Sequence, residues 1–186
     1  MKDLFSIKGK TALVTGGSRG IGEMIAGGFL ASGAKVYISS RKVDACDATA
    51  ERLMKTFGGK CISLPGNVAE LNGISSLVET LSEREDKLDI LVNNAGVGWG
   101  APLEEFPEIG WDKVMDTNVK GVFFLIQQLL PLLKASGTAE DPARVINIGS
   151  IDGIVTPTFN NISYLSLIHI SEPTRRTPIS YAVFCL

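Results

Sequence analysis

Cysteine is scarce in this sequence. Cys46, Cys61 and Cys185 are the three present, an odd number without C-x-x-C spacing, so neither a disulfide framework nor zinc is favoured and no metal is expected. An excess of one charge is missing as well. Eighteen basic and twenty acidic residues leave a net charge of −2, which provides no basic footprint for nucleic acid or an anionic membrane. Long apolar runs are lacking too. The greasiest stretch, residues 122–133, is broken by Gln127, Gln128 and Pro131 and falls short of the roughly 20 residues a bilayer span needs. Residues 1–8 contain no apolar h-region, so no secretory signal is read there. What is present is 186 residues, 45% hydrophobic, 20% charged and 7% aromatic. That is ordinary globular composition, and the length suits one domain. A soluble cytoplasmic domain is the expectation.

From residue 10 to about 150 the chain alternates short β-branched runs with amphipathic segments. Strands are predicted at 11–15, 35–39, 61–64, 88–92 and 144–148, with helices at 20–32, 44–57, 69–84 and 111–134. Continuous apolar strands separated by helices of a dozen residues mean a parallel sheet covered on both faces. Right-handed crossovers wind such a sheet doubly, giving an α/β fold of Rossmann type. After residue 164 the character changes. Residues 165–178 show no helical stripe and contain Pro173 and Pro178, so no good helix is predicted where the alternation asks for one. The chain finishes in an apolar stretch, 181–186.

Thr15-Gly16-Gly17-Ser18-Arg19-Gly20-Ile21-Gly22 joins the first strand to the first helix. Glycines there let the backbone turn tightly and approach a pyrophosphate, which the helix N-terminus stabilises. The spacing is T-G-x-x-x-G-x-G rather than G-x-G-x-x-G, and by itself it could be a structural turn. Further on, Asn93-Asn94-Ala95-Gly96 follows the fourth strand, Asn118 lies in the long helix, Ser150 ends the fifth strand and Tyr164 stands fourteen positions later.

These elements, in this order at these element ends, resemble the short-chain dehydrogenase/reductase family over residues 1–164. The runs Val97-Gly98-Trp99-Gly100-Ala101-Pro102 and Pro142-Ala143-Arg144-Val145-Ile146-Asn147-Ile148-Gly149-Ser150 are similar to 3-oxoacyl-(acyl carrier protein) reductases, including the rhamnolipid-associated branch. The resemblance implies a carbonyl reductase acting on 3-oxoacyl thioesters or a similar ketone. Ser150 would hydrogen-bond the substrate carbonyl, Tyr164 would be the general acid, and Asn118 would hold a proton-relaying water. Gly16, Ser18, Arg19, Gly20, Ile21, Gly22, Asn94, Ala95 and Gly96 would line the dinucleotide. Plainer roles stay open: Ser150 as a helix cap, Asn118 as a buried bracket and Tyr164 as a core aromatic.

At the end of the second strand, where an acid would bind the 2′-hydroxyl of NAD, this chain has Ser39-Ser40-Arg41-Lys42. With no carboxylate there and with Arg19 and Arg41 nearby, NADPH is expected over NADH, although Arg41 and Lys42 could be a solvated turn. Asn67-Val68 falls where the family holds the adenine with Asp-Val, and the Asn67 amide oxygen can still accept from the adenine amino group.

The family motif is Tyr-x-x-x-Lys, and four residues after Tyr164 this chain has Ile168. That lysine would bind the nicotinamide ribose and lower the tyrosine pKa from its usual value of about 10. Its absence implies either an inactive form of the enzyme or a dinucleotide-binding fragment without catalysis. The resemblance further implies strand order 3-2-1-4-5, a sheet truncated after the fifth strand with that strand left as an exposed edge, and a parent that is a homo-dimer or tetramer. Residues 165–175 resemble a translated transposon-end sequencing adapter. Residues 1–164 therefore read as the N-terminal part of a single domain and 165–186 as a non-native tail.

Overall fold

The computed structural model describes residues 5–153, 161–171 and 183–185. Strands β1 (Thr11–Thr15), β2 (Lys35–Ser39), β3 (Lys60–Ser63), β4 (Ile90–Asn93) and β5 (Arg144–Asn147) alternate with helices α1 (Gly20–Ala31), α2 (Val43–Phe57), α3 (Leu71–Ser82), α4 (Glu108–Met115) and α5 (Gly121–Ser136). Helix α6 (Ile162–Ser171) and strand β6 (Val183–Cys185) follow. The sheet has the order β3-β2-β1-β4-β5-β6, and its first five strands are parallel. This is the expected doubly wound α/β architecture.

Alternation along the strands sorts the core into two layers. Leu13, Tyr37, Leu91 and Val145 face α3 and α5, which present Ile74, Leu77 and Leu81 and then Leu125, Leu129 and Leu133 at helical spacing. Val14, Val36, Ile38 and Val92 face α1 and α2, which supply Ala26, Leu30, Cys46, Ala50 and Leu53. Burial on both faces explains why these strands read as unbroken apolar runs.

A charged network closes the end of the sheet where the strands begin. Asp89, almost wholly buried, accepts hydrogen bonds from the Thr11 amide at 2.8 Å, Ser136 Oγ at 2.6 Å and Lys10 Nζ at 3.2 Å. Lys10 also reaches Asp141 at 2.6 Å, and Arg144 meets that same carboxylate at 3.0 Å. Burial pushes the Asp89 carboxyl up, but the hydrogen bonds from Ser136, Thr11 and Lys10 outweigh it and leave it below its ordinary value.

Three expectations differ from the structure. The predicted helix 111–134 is a longer rod, α4 and α5 joined by a π-helical turn, Asp116–Lys120, whose closing bond runs from the Gly121 amide to the Asp116 carbonyl. At 29 residues, Glu108–Ser136 is by length and composition long and apolar enough to cross a bilayer. Leu125, Leu129 and Leu133 pack one side of it against the sheet, while Ile109, Trp111, Val119 and Phe123 on the same rod are exposed.

No good helix is expected over 165–178, yet residues 162–171 form α6, which takes in the first part of that stretch. Apolar residues lie on most of its faces, so no stripe was visible, and Pro173 falls beyond its end. Leu167 and Ile168 are buried against Val114 of α4, and this contact supplies what periodicity could not. Finally, β5 is not an edge. β6 pairs with it antiparallel, with Arg144 opposite Cys185, Val145 opposite Phe184 and Ile146 opposite Val183. The backbone groups of an otherwise bare edge are satisfied by a segment that was read only as an apolar finish.

Candidate functional site

The parallel strands all end at one side of the sheet, and the loops there bring the candidate residues together. Gly16 and Gly20 have φ of +65° and +57°, the left-handed conformation that a side chain disfavours. Gly22 lets α1 settle onto the turn: a Cβ there would meet the Gly16 carbonyl and lie 2.5 Å from Asn94 Nδ2. Arg19, Gly20 and Ile21, at the helix N-terminus, are exposed. The Ser18 carbonyl accepts from Thr49 Oγ1 at 3.0 Å, which ties the loop to α2.

Asn94 and Thr15 lock this loop to the end of β4. Asn94 Nδ2 donates to the carbonyls of Thr15 at 3.0 Å and Gly16 at 3.3 Å. Thr15 Oγ1 accepts from the amides of Asn94 and Ala95, both at 3.0 Å, and donates to the Val92 carbonyl at 3.3 Å. Asn93 Nδ2 donates to Asn147 Oδ1 at 2.9 Å, joining β4 to β5. The Thr15 hydroxyl has three partners, a role that the spacing of the Gly-rich run does not show.

Ser39, the last residue of β2, is buried and its hydroxyl has no hydrogen-bond partner among the described residues, while Arg41 and Lys42 beyond it are exposed. The loop after β3 is held by its own bonds. Asn67 Oδ1 accepts from the Ala69 amide at 3.3 Å and Asn67 Nδ2 donates to Glu70 at 2.6 Å, while Val68 sits in the core.

Asn118 lies in the π-turn, and its side chain brackets Val97, accepting from the Val97 amide at 2.9 Å and donating to its carbonyl at 2.8 Å. Gly96 lies beside it. The Ser150 hydroxyl accepts from the Asp152 amide at 3.2 Å and so caps the short turn Ile151–Gly153. Asp152 in turn accepts from Asn161 Nδ2 at 3.4 Å, just ahead of α6. Tyr164 is half-buried on the cluster of Val114, Leu167 and Ile168, alongside Val97 and Trp99. Among the described residues no group of acids, histidines and cysteines could hold a metal.

The sequence matches the short chain dehydrogenase family over residues 10–166. The chain belongs to this family. Among curated relatives it is 54% identical to the rhamnolipids biosynthesis 3-oxoacyl-[acyl-carrier-protein] reductase of Pseudomonas aeruginosa, over 83% of this chain and 59% of that protein. It is 36% identical to gluconate 5-dehydrogenase of Gluconobacter oxydans, over 80% and 56%. Among solved structures it superposes on the Pseudomonas aeruginosa RhlG/NADP active-site complex with a TM-score of 0.83 at 51% identity, covering 89% of this chain and 64% of that one. L-sorbose reductase of Gluconobacter frateurii, complexed with NADPH and L-sorbose, gives 0.77 at 30% identity, covering 87% and 60%. The chain therefore spans about three fifths of the length of these relatives.

Within this family the glycine loop has a plain chemical use. Gly16 and Gly22 let the turn and α1 pack closely onto Asn94, while Gly20, with no atom within 4 Å of its missing Cβ, leaves the N-terminus of α1 bare and exposed. The residues present fit a dinucleotide.

Proposed function

We propose that this chain is the dinucleotide-binding part of a soluble cytoplasmic NADPH-dependent carbonyl reductase, acting on a 3-oxoacyl thioester or similar ketone and homo-oligomeric in its full form. The observation that carries the reading is the bare, exposed N-terminus of α1 at Gly20, set on a turn that Gly16, Gly22 and Asn94 pack tightly, next to a β2 terminus with no acid. The Pseudomonas and Gluconobacter structures named with NADP or NADPH support that cofactor. In this reading Gly16, Ser18, Arg19, Gly20, Ile21 and Gly22 hold the pyrophosphate, Arg41 meets the 2′-phosphate, and Asn67 and Val68 flank the adenine. Asn94, Ala95 and Gly96 lie along the remainder.

When bound, the nicotinamide supplies the hydride. The chain's own work is to place a proton and a hydrogen bond at the ketone oxygen. Ser150 already accepts from the Asp152 amide, which leaves its O–H free to donate to that oxygen. Tyr164 would deliver the proton as the alkoxide forms. The Asn118 side chain spends one bond at each polar atom on Val97, which leaves one Nδ2 hydrogen and one Oδ1 lone pair for a water.

Ile168 favours a second reading, a binder without turnover. It is 4% exposed in an apolar cluster and brings no charge toward Tyr164. Titration of the purified chain with NADPH and NADH tests the first reading, with Gly22→Ala as the control that should abolish binding. An unmutated chain that binds neither nucleotide would refute it.

A further inference from the structure

Gly121 is a glycine where helix geometry asks for none. Its φ of −61° and ψ of −44° are those of an ordinary helix, where alanine is the better helix former. What excludes a side chain is the loop after β3. A Cβ on Gly121 would run into the Val68 carbonyl and stand 3.1 Å from its carbon. Gly73, in the first turn of α3, meets the same loop from the other side: a Cβ there would run into the Asn67 carbonyl, with the Asn67 nitrogen at 3.2 Å. Two successive peptides of the loop, Asn67–Val68 and Val68–Ala69, thus each lie against a helix at the place where it lacks a side chain.

The seat is coupled to the rest of the site. Gly121 closes the π-turn, and Asn118, three residues earlier in that turn, grips both backbone groups of Val97. One turn of helix therefore supports the loop after β3 and the loop after β4.

We propose that Gly73 and Gly121 are positioning residues that seat the carbonyls of Asn67 and Val68, and with them this loop, for the adenosine half of the dinucleotide. This rests on the dinucleotide-binding reading above. The glycines touch no ligand themselves; they act through the height of the loop that does.

The test uses the full 186-residue chain and 2′,5′-ADP as the probe, with affinity measured by calorimetry and amide exchange measured along the backbone. Gly121→Ala and Gly73→Ala should each weaken 2′,5′-ADP by about tenfold, equivalent to about 1.4 kcal/mol. Exchange should rise at residues 66–69 and stay unchanged in the Gly-rich loop at 16–22. Gly28→Ala is the matched control, an exposed helical glycine with no atom within 4 Å of its missing Cβ, and it should leave affinity unchanged. Unchanged 2′,5′-ADP affinity in Gly121→Ala would overturn the proposal. So would exchange rising equally in both loops, or failure of both variants to fold, because each would make the glycines general packing positions. An unmutated chain that binds neither 2′,5′-ADP nor NADPH would instead sink the cofactor reading on which the seat depends.

Discussion

β1 and β5 flank the same strand, β4, yet they are built differently. All five residues of β1 are buried, with Leu13 in one core layer and Ala12 and Val14 in the other. In β5 only Val145 is fully buried; Arg144, Ile146 and Asn147 are partly exposed. The contrast extends outward. β1 leads into a loop locked by Thr15, Asn94 and Thr49, whereas β5 leads to Ser150 and then to α6, whose buried contact with α4 is the cluster of Val114, Leu167 and Ile168. The candidate dinucleotide side is over-determined by packing and the candidate proton-transfer side is not. In such a molecule, binding of the dinucleotide can persist without turnover.

The sharpest way to break this comparison is to repair the weaker side. The chain as it stands should show no reduction of a 3-oxoacyl thioester. Exchanging residues 165–186 for a family-like end with lysine at position 168 should raise turnover by about 10²–10⁴-fold, the range for general acid–base groups. Steady turnover by the unaltered chain, followed as NADPH oxidation, would show that Tyr164 needs no cationic neighbour.

Truncating the two cores should separate them next. Leu13→Ala removes a fully buried side chain from the main core and should cost about 2–5 kcal/mol in denaturant melts. Leu167→Ala should leave that transition in place while amide protection is lost across α6. If both variants lowered the global midpoint equally, the two sides would form one cooperative unit.

A smaller effect lies at the end of β2. NADPH should bind about tenfold tighter than NADH, about 1.4 kcal/mol, and Arg41→Asp should erode or reverse the preference. Equal affinities in the unmutated chain, measured by calorimetry, would reduce Arg41 to a solvated turn residue.

The smallest effect is in acid, at the far end of the sheet. Hydrogen bonds from Lys10 and Arg144 hold the Asp141 carboxyl down from 3.8 to about 2. A carboxyl held below its unfolded value stabilises the fold above that value and loses the contribution as pH falls through the folded one. Stability should therefore decline from about pH 4 toward pH 2, with Asp89, also held below its ordinary value, adding in the same direction. Asp141→Asn should flatten this decline in melts followed by circular dichroism. An unchanged slope would remove Asp141 from the account.

Much of the fold was legible because strands buried on both faces leave a local record. The runs at 11–15 and 35–39 match β1 and β2 to the residue, and the helix expected at 111–134 lies within the rod at 108–136. The Gly-rich loop was legible because left-handed backbone and close approach both demand glycine. Gly121 left no such record, since its conformation is ordinary and the reason for it lies in Val68, far away in sequence. Helix α6 was missed for a related reason: its residues are apolar on most sides, and burial against Val114 selects the helix.

By itself, then, the sequence determined the parallel alternation, the two-layered core and the glycine turn, because each follows from contacts within a few residues or from a side-chain period. Tertiary structure decided the partners of Thr15, the seat under Asn67 and Val68, and the cover on β5. Those depend on which carbonyl, amide or bare strand edge arrives from a distant segment, and no local spacing encodes that arrival.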